Sequence, residues 1–294
     1  MKDIIRQAAQ FFKSVVSLPF AFLSNLKKND SNVKRLEELH QKIDELNLKL
    51  DSFIELNSSK LMHHNDSFLN RIEFNKQIEN QFLQLESLVS LYNSLPQLKF
   101  LPETRGWAGS PDFLNKIVEV IIKQKPKLIV EASSGVSTIV IGLALKMNNC
   151  GKSLSLEHNA TYTESTRKNI EINQIKDVTS ILNFPIVEYV IENETWKWYK
   201  TDSFNITEKI DLMIIDGPPR TTQNLARYPA IPLLFHHFSN NFKVLLDDAK
   251  RQDEMLILEK WIEFLKKKGC IIDIEYLSNF EKGLVILNVK KEIN

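Results

Sequence analysis

The chain has 294 residues, with 38 lysines and arginines against 37 aspartates and glutamates, a formal net charge of +1. A balance this close to neutral removes the global electrostatic case for a nucleic-acid partner. Hydrophobic residues at 43% and charged residues at 26% exclude a chain disordered throughout, a collagen-like repeat and a multi-span membrane protein.

Residues 1–28 mix Ile4, Ile5, Phe11, Phe12, Val15, Val16, Phe20, Phe22 and Leu23 with Lys2, Arg6, Lys13, Lys27 and Lys28. Lys13 keeps the apolar run short of the ~20 residues that span a bilayer, and no small-residue cleavage site follows. The pattern predicts a helix lying in a membrane interface; the alternative is a helix packed against the next segment or a second subunit. The two cysteines, Cys150 and Cys270, form no framework and no Cys/His cluster. They predict a reducing, cytoplasmic setting, at the inner face of the cell membrane if residues 1–28 bind it, and no structural zinc.

Residues 29–95 contain neither glycine nor proline. Leu36, Leu39, Ile43, Leu46, Leu50 and Phe53 recur at spacings of 3 and 4, and so do Ile78, Phe82, Leu85, Val89 and Tyr92. These are heptad seams, and they predict a coiled coil that makes the protein a homo-oligomer. The alternative is a helical arm folded on its own globular domain.

Residues 96–294 read as one α/β domain. Pro111 to Gln124 is a predicted helix, followed by strand 127–131 (KLIVE), helix 137–148, strand 152–157 (KSLSLE), helix 160–173 and strand 178–182. Then come strand 210–216 (IDLMIID), a helix over 224–238, strand 242–247 (FKVLLD), helix 252–268, and two strands, 270–276 and 283–289, with no helix between them. Strand and helix alternation predicts a mostly parallel sheet covered on both faces, and the final pair makes one strand antiparallel.

Ligands of such sheets bind outside the carboxyl ends of the strands, where this sequence places Glu131, Glu157, Asp216 and Asp247. The turn Glu131-Ala-Ser-Ser-Gly135-Val-Ser137 keeps one glycine of a dinucleotide fingerprint, and an acid there opposes a diphosphate. That argues against a nicotinamide dehydrogenase. Glu157 can accept hydrogen bonds from ribose hydroxyls. A nucleoside with a cationic tail satisfies both positions, and S-adenosylmethionine is such a molecule.

The segments LIVEASSGVST, SLEHN, IDLMIIDGPPR, LARYPAIPLL and VLLDDAKR, in this order, resemble class I S-adenosylmethionine-dependent methyltransferases of the glycan-associated kind. The resemblance covers about residues 100–290. It implies a Rossmann-like seven-stranded sheet with its last strand antiparallel. It places Glu131, Ser133, Gly135 and Ser137 around the methionine moiety, Glu157 on the ribose, His158 along the adenine with Asn183 and Phe184 bordering it, and Asp216 beside the methyl donor. The family usually has glycine where this chain has Ser133, a strained choice if the position needs a positive φ.

Asp216, Asp247 and Asp248 end neighbouring predicted strands, and three converging carboxylates call for a cation. Oxygen donors suit Mg2+ or Mn2+, which would acidify an acceptor hydroxyl. The arrangement is similar to metal-dependent catechol-type O-methyltransferases, but the lysine base of those enzymes is replaced here by Gly217-Pro218-Pro219-Arg220. Arg220, Lys250 or a carboxylate would take its place. Trp107, between Gly106 and Gly109, reads as a lid over the ligand, and Arg227 and Tyr228 as residues facing the same opening. The function implied is a metal-assisted O-methyltransferase acting on a glycan or another small hydroxylated acceptor. The alternative is a degenerate methyltransferase fold serving as a coiled-coil scaffold.

Overall fold

The computed structural model describes residues 68–201 and 206–292, together with Asp44, Leu48 and Ser52. The chain divides into two units, residues 1–75 and residues 76–294. In the first, Asp44, Leu48 and Ser52 are helical; the interfacial helix expected over 1–28 and the first heptad seam otherwise lie outside the described residues. No helix among the described residues is long and apolar enough to cross a membrane.

Helix α1 (Phe68–Ser94) has no glycine or proline to interrupt it. The second unit takes in its part from Lys76, ahead of the boundary that composition suggests at residue 96. The reason is packing. Leu91, Leu95 and Leu98 are fully buried with Phe113, Leu114 and Ile117 of α2 (Pro111–Gln124). Polar ties add to this: Gln84 donates to Asp112 Oδ2 at 2.7 Å, and Asn115 donates to the Ser87 carbonyl at 2.5 Å. The later seam residues, Ile78 to Tyr92, are half-buried or exposed.

The sheet has seven strands: β1 (Leu128–Ala132), β2 (Lys152–Glu157), β3 (Thr179–Asn183), β6 (Ile210–Ile215), β7 (Phe238–Asp247), β8 (Cys270–Leu277) and β9 (Leu284–Lys291). Their order is β3-β2-β1-β6-β7-β9-β8. All are parallel except β9, which lies antiparallel between β7 and β8. This is the predicted architecture. β1 is buried at every position because its alternating side chains feed two cores. Ile129 joins Leu212, Ile214 and Leu245 on the face covered by α2 and α3 (Val136–Asn148). Leu128, Val130 and Ala132 join Met213, Ile215, Val244 and Trp261 on the face covered by α6 (Gln252–Lys267). Helix α4 (Ala160–Ile172) follows β2, with Asn159 as its N-cap accepting from two backbone N–H groups. The chain runs outward from β1 in one direction and from β6 in the other, so the topological switch falls between them.

Two segments differ from the sequence reading. Residues 186–199 form an antiparallel hairpin, β4 (Ile186–Ile191) and β5 (Glu194–Tyr199), outside the main sheet. Its two-residue turn, Glu192-Asn193, has φ of 49° and 71°, the positive pair that suits a twisted hairpin. The predicted helix over 224–238 is reduced to α5 (Ala230–Leu234) between a turn and a single 3-10 turn, Phe235–His237. Pro229 and Pro232 supply no N–H, and Leu225 is left-handed at φ 51°, so no long helix can run through. β7 accordingly starts at Phe238, with a bulge opposite Ile210 and Leu212.

Candidate functional site

The site is built where β2, β1, β6 and β7 end side by side. Glu131 sits near the end of β1 and is fully buried. Its Oε2 accepts from the Thr138 hydroxyl at 2.6 Å and from the Ser155 hydroxyl at 2.5 Å. Oε1 is buried without a hydrogen-bond partner. Burial pushes its carboxyl up to about 7, against the pull of the nearby Ser137, Ser155 and Thr138 hydroxyls. The turn then passes Ser133 at φ 118° and Gly135 at φ 151°. Ser133 therefore holds the positive φ for which glycine is the unstrained residue. A Cβ added to Gly135 would meet nothing within 4 Å, so the turn leaves open space beside it.

Glu157 ends β2. Its Oε1 accepts from the backbone N–H of His158 at 2.9 Å and of Asn159 at 2.8 Å, and its Oε2 from the Ser134 hydroxyl at 2.9 Å. The His158 Nδ1 lies 3.2 Å from Oε1 without hydrogen-bond alignment. Asn183, at the end of β3, is in register with Glu157, and the Phe184 N–H donates to the Glu157 carbonyl at 2.7 Å. The loop residues expected near an adenine thus do surround this strand end. Tyr199 of the hairpin, a core residue, also comes near: its ring centroid is 6.1 Å from that of His158. Burial raises its phenol well above the ordinary range, reinforced by the Glu157 charge.

At the ends of β6 and β7, Asp216, Asp247 and Asp248 converge, with ligand atoms within 4.8 Å of one another. The structure also places a guanidinium among them. Arg227 Nη2 donates to Asp248 Oδ2 at 2.6 Å, to the Asp216 carbonyl at 2.9 Å and to Asp216 Oδ1 at 3.3 Å. Its Nη1 donates to the Asp247 carbonyl at 2.9 Å and lies 3.7 Å from Glu254 Oε1. Arg251 reaches the same Asp248 oxygen at 2.8 Å. Burial would depress the Arg227 pKa, but Asp216, Asp248 and Glu254 more than offset it and the pKa is raised. Burial lifts Asp216 to about 6, with Arg227 pulling it down and Asp248 pushing it up. Asp247 lies well above the carboxylate range, through burial and then the charges of Asp216 and Asp248. Arg227 thus brings a buried positive charge to two of the three carboxylates, those of Asp216 and Asp248.

The other expected residues lie elsewhere. Arg227 does not line an opening, since its side chain is only 4% exposed. Tyr228 belongs to the core: its ring lies 4.6 Å from that of Trp196, and its carbonyl accepts from Trp261 Nε1 at 2.7 Å. Arg220 is on the surface, paired with Asp253 at 3.0 Å. Lys250 donates to the Glu281 carbonyl at 3.0 Å on an exposed stretch. Trp107 is 78% exposed and covers nothing in this conformation.

No family model matches the chain, and no curated protein does. Among solved structures it is similar to an O-methyltransferase from Bacillus cereus in complex with SAH, at 15% identity and TM-score 0.49, over 73% of this chain and 97% of that one. It is also similar to an SAH-bound methyltransferase from Podospora anserina, at 12% identity and TM-score 0.49, over 78% of this chain and 97% of that one. A third is the SAM-bound O-methyltransferase of tomaymycin synthesis from Streptomyces achromogenes, at 11% identity and TM-score 0.46, over 70% of this chain and 90% of that one. Likeness this distant leaves the activity of the chain to be argued from its own residues.

Proposed function

We propose that this chain is an S-adenosylmethionine-dependent methyltransferase acting on the hydroxyl of a small acceptor. The observation that carries the proposal is the set of carboxylates Glu157, Glu131 and Asp216 at the ends of the adjacent strands β2, β1 and β6, at the switch in strand order. When bound, S-adenosylmethionine supplies an electrophilic methyl group. Glu157, at the strand end beside the first turn, accepts the ribose hydroxyls. Glu131, with a buried acceptor atom left without a donor, favours a cationic neighbour. The turn around Gly135 leaves room for the ligand at the N-terminus of α3.

In this reading Asp216 receives the acceptor proton; its side chain is 9% exposed, against 4% for the Arg227 that contacts it. With a pKa of about 6 it is ionised at neutral pH. In-line alignment of acceptor and methyl donor supplies much of the remaining barrier reduction. The acceptor class, a glycan hydroxyl among the candidates, rests on the sequence resemblance alone. Self-association through residues 29–95 and membrane contact through residues 1–28 belong to the same proposal and rest on apolar spacing.

Titration calorimetry with S-adenosylmethionine and S-adenosylhomocysteine tests the reading. Saturable one-to-one binding that Glu157→Ala weakens is the expected result. Absence of binding to either would return the chain to the scaffold reading.

A further inference from the structure

We infer that the guanidinium of Arg227 is the resident cation of the acidic cluster at the ends of β6 and β7, so that this site takes no divalent metal and works without one. That the site works without a metal rests on the function proposed above; the occupancy of the cluster by Arg227 rests on the geometry.

Three carboxylates within 4.8 Å of one another do need positive charge. Arg227 provides it from within the cluster. One nitrogen, Nη2, reaches the carboxylates of two of the three acids, at 2.6 Å for Asp248 and 3.3 Å for Asp216. A hard divalent ion held about 2.0–2.5 Å from the same oxygens would lie against that nitrogen, and the two like charges would repel. The guanidinium cannot give up its charge. It also cannot easily swing aside. Nη1 and Nη2 each satisfy a backbone carbonyl, of Asp247 and Asp216, at 2.9 Å. Moving the side chain would strand both carbonyls and leave a buried cation without partners.

Two of the carboxylate oxygens of the cluster, Asp216 Oδ1 and Asp248 Oδ2, are already engaged by arginine. The Asp248 oxygen is shared by two arginines, Arg227 and Arg251. Asp247 Oδ2 is buried without a partner and is the atom a metal would want. What speaks against an ion here is therefore the buried positive charge beside these oxygens, and not a shortage of oxygen donors. Glu254, 3.7 Å from both guanidinium groups, adds a fourth acid to the same arginine pair.

The test is binding of Mn2+ to the full chain, followed by paramagnetic resonance or calorimetry in the absence of S-adenosylmethionine. Wild type is expected to bind no stoichiometric Mn2+ at the cluster. Arg227→Met, which removes the cation and keeps the bulk, is expected to acquire one Mn2+ equivalent that the further change Asp247→Asn removes. If Arg227→Met folds only when Mn2+ or Mg2+ is present, the inference is supported as well. One equivalent bound by wild type and lost in Asp247→Asn would overturn it, and that measurement needs no Arg227 variant. A folded Arg227→Met that binds no metal would also overturn it, since the guanidinium would then not be what keeps the ion out. Cofactor calorimetry is a separate readout, so failure of the methyltransferase reading and failure of this inference are distinguishable.

Discussion

The Ser134 hydroxyl donates to Glu157 Oε2 at 2.9 Å, so the turn after β1 is tied to the carboxylate that ends β2. The other oxygen of Glu157 accepts two backbone N–H groups. Glu157 is therefore both a candidate cofactor ligand and the acceptor on which three local donors depend. Glu157→Ala should weaken S-adenosylmethionine binding by about 1–3 kcal/mol and cost stability of the same order. Ser134→Ala removes one donor and leaves the carboxylate free. It should cost less than about 1 kcal/mol of stability and leave cofactor affinity unchanged or improved. Calorimetry and thermal melts on the pair check this; a Ser134→Ala variant that loses affinity as badly as Glu157→Ala would place Ser134 itself on the ligand.

Glu131 makes the fold pH-sensitive with a definite sign. Its carboxyl is raised by burial from 4.5 to about 7. The folded state thus holds a proton that the unfolded state releases from about pH 4.5 upward, and the stability this contributes is present below that pH and lost as pH rises toward 7. Glu131→Gln mimics the protonated form at every pH. It should match wild type near pH 5 and exceed it at pH 8 by about 2–3 kcal/mol, at 1.36 kcal/mol per pKa unit. Denaturant melts at the two pH values measure the difference. An equal effect at both would show that Glu131 is ionised throughout. Cofactor affinity should fall in the same variant, because the buried charge that favours a cationic ligand is gone.

Asp216 sets the expected pH profile of turnover. With its pKa at about 6, activity should rise along an acid limb centred there and level off above pH 7. Asp216→Asn should lower kcat by roughly 10²–10⁴-fold if the carboxylate is the general base, with a smaller effect on cofactor binding. The chain's own Arg227 and Asp248 face this group, so the limb should move downward with Asp248→Asn, which removes a repelling charge. A limb unmoved by that substitution would assign it to another residue.

The sequence shows the sheet clearly for a physical reason. Strands such as LIVEA and IDLMII are buried on both faces, so they read as continuous apolar runs, and each acid that follows marks a strand end. The hairpin β4–β5 was not legible, since its burial alternates irregularly and its turn, Glu192-Asn193, lacks the usual glycine. Arg227 was legible as a charged residue but not as a buried one. Its partners Asp216 and Asp248 are 11 and 21 residues away in sequence. Only the juxtaposition of β6 and β7 brings them to it, and no local periodicity records that. The three acids did announce the need for a cation, and the signal that could have named it was an arginine in the loop between those two strands.

Ser133 and Gly217 face each other across the site, and their sizes should be coupled. Ser133 holds φ at 118°, where a side chain is strained. A Cβ on Gly217 would stand 3.0 Å from the Tyr199 hydroxyl oxygen, 3.1 Å from the Ser133 Cβ and 3.3 Å from the Ala132 carbonyl oxygen. Ser133→Gly relieves the backbone strain and should raise stability by about 1 kcal/mol, or about 2–4 °C in Tm for a domain of this size. Gly217→Ala forces its neighbours apart and should cost about 1–3 kcal/mol. In the double variant the new methyl group finds the space that the Ser133 Cβ vacated, so the cost should be smaller than the sum of the single effects by about 0.5–1 kcal/mol. Tyr199 offers no such relief, because its ring is held by Trp198 at a centroid distance of 5.0 Å and its hydroxyl is buried with it. Thermal and denaturant melts of the four proteins close the cycle. Strict additivity would mean that the strain of Gly217→Ala is taken up by Tyr199 and the Ala132 carbonyl rather than by Ser133.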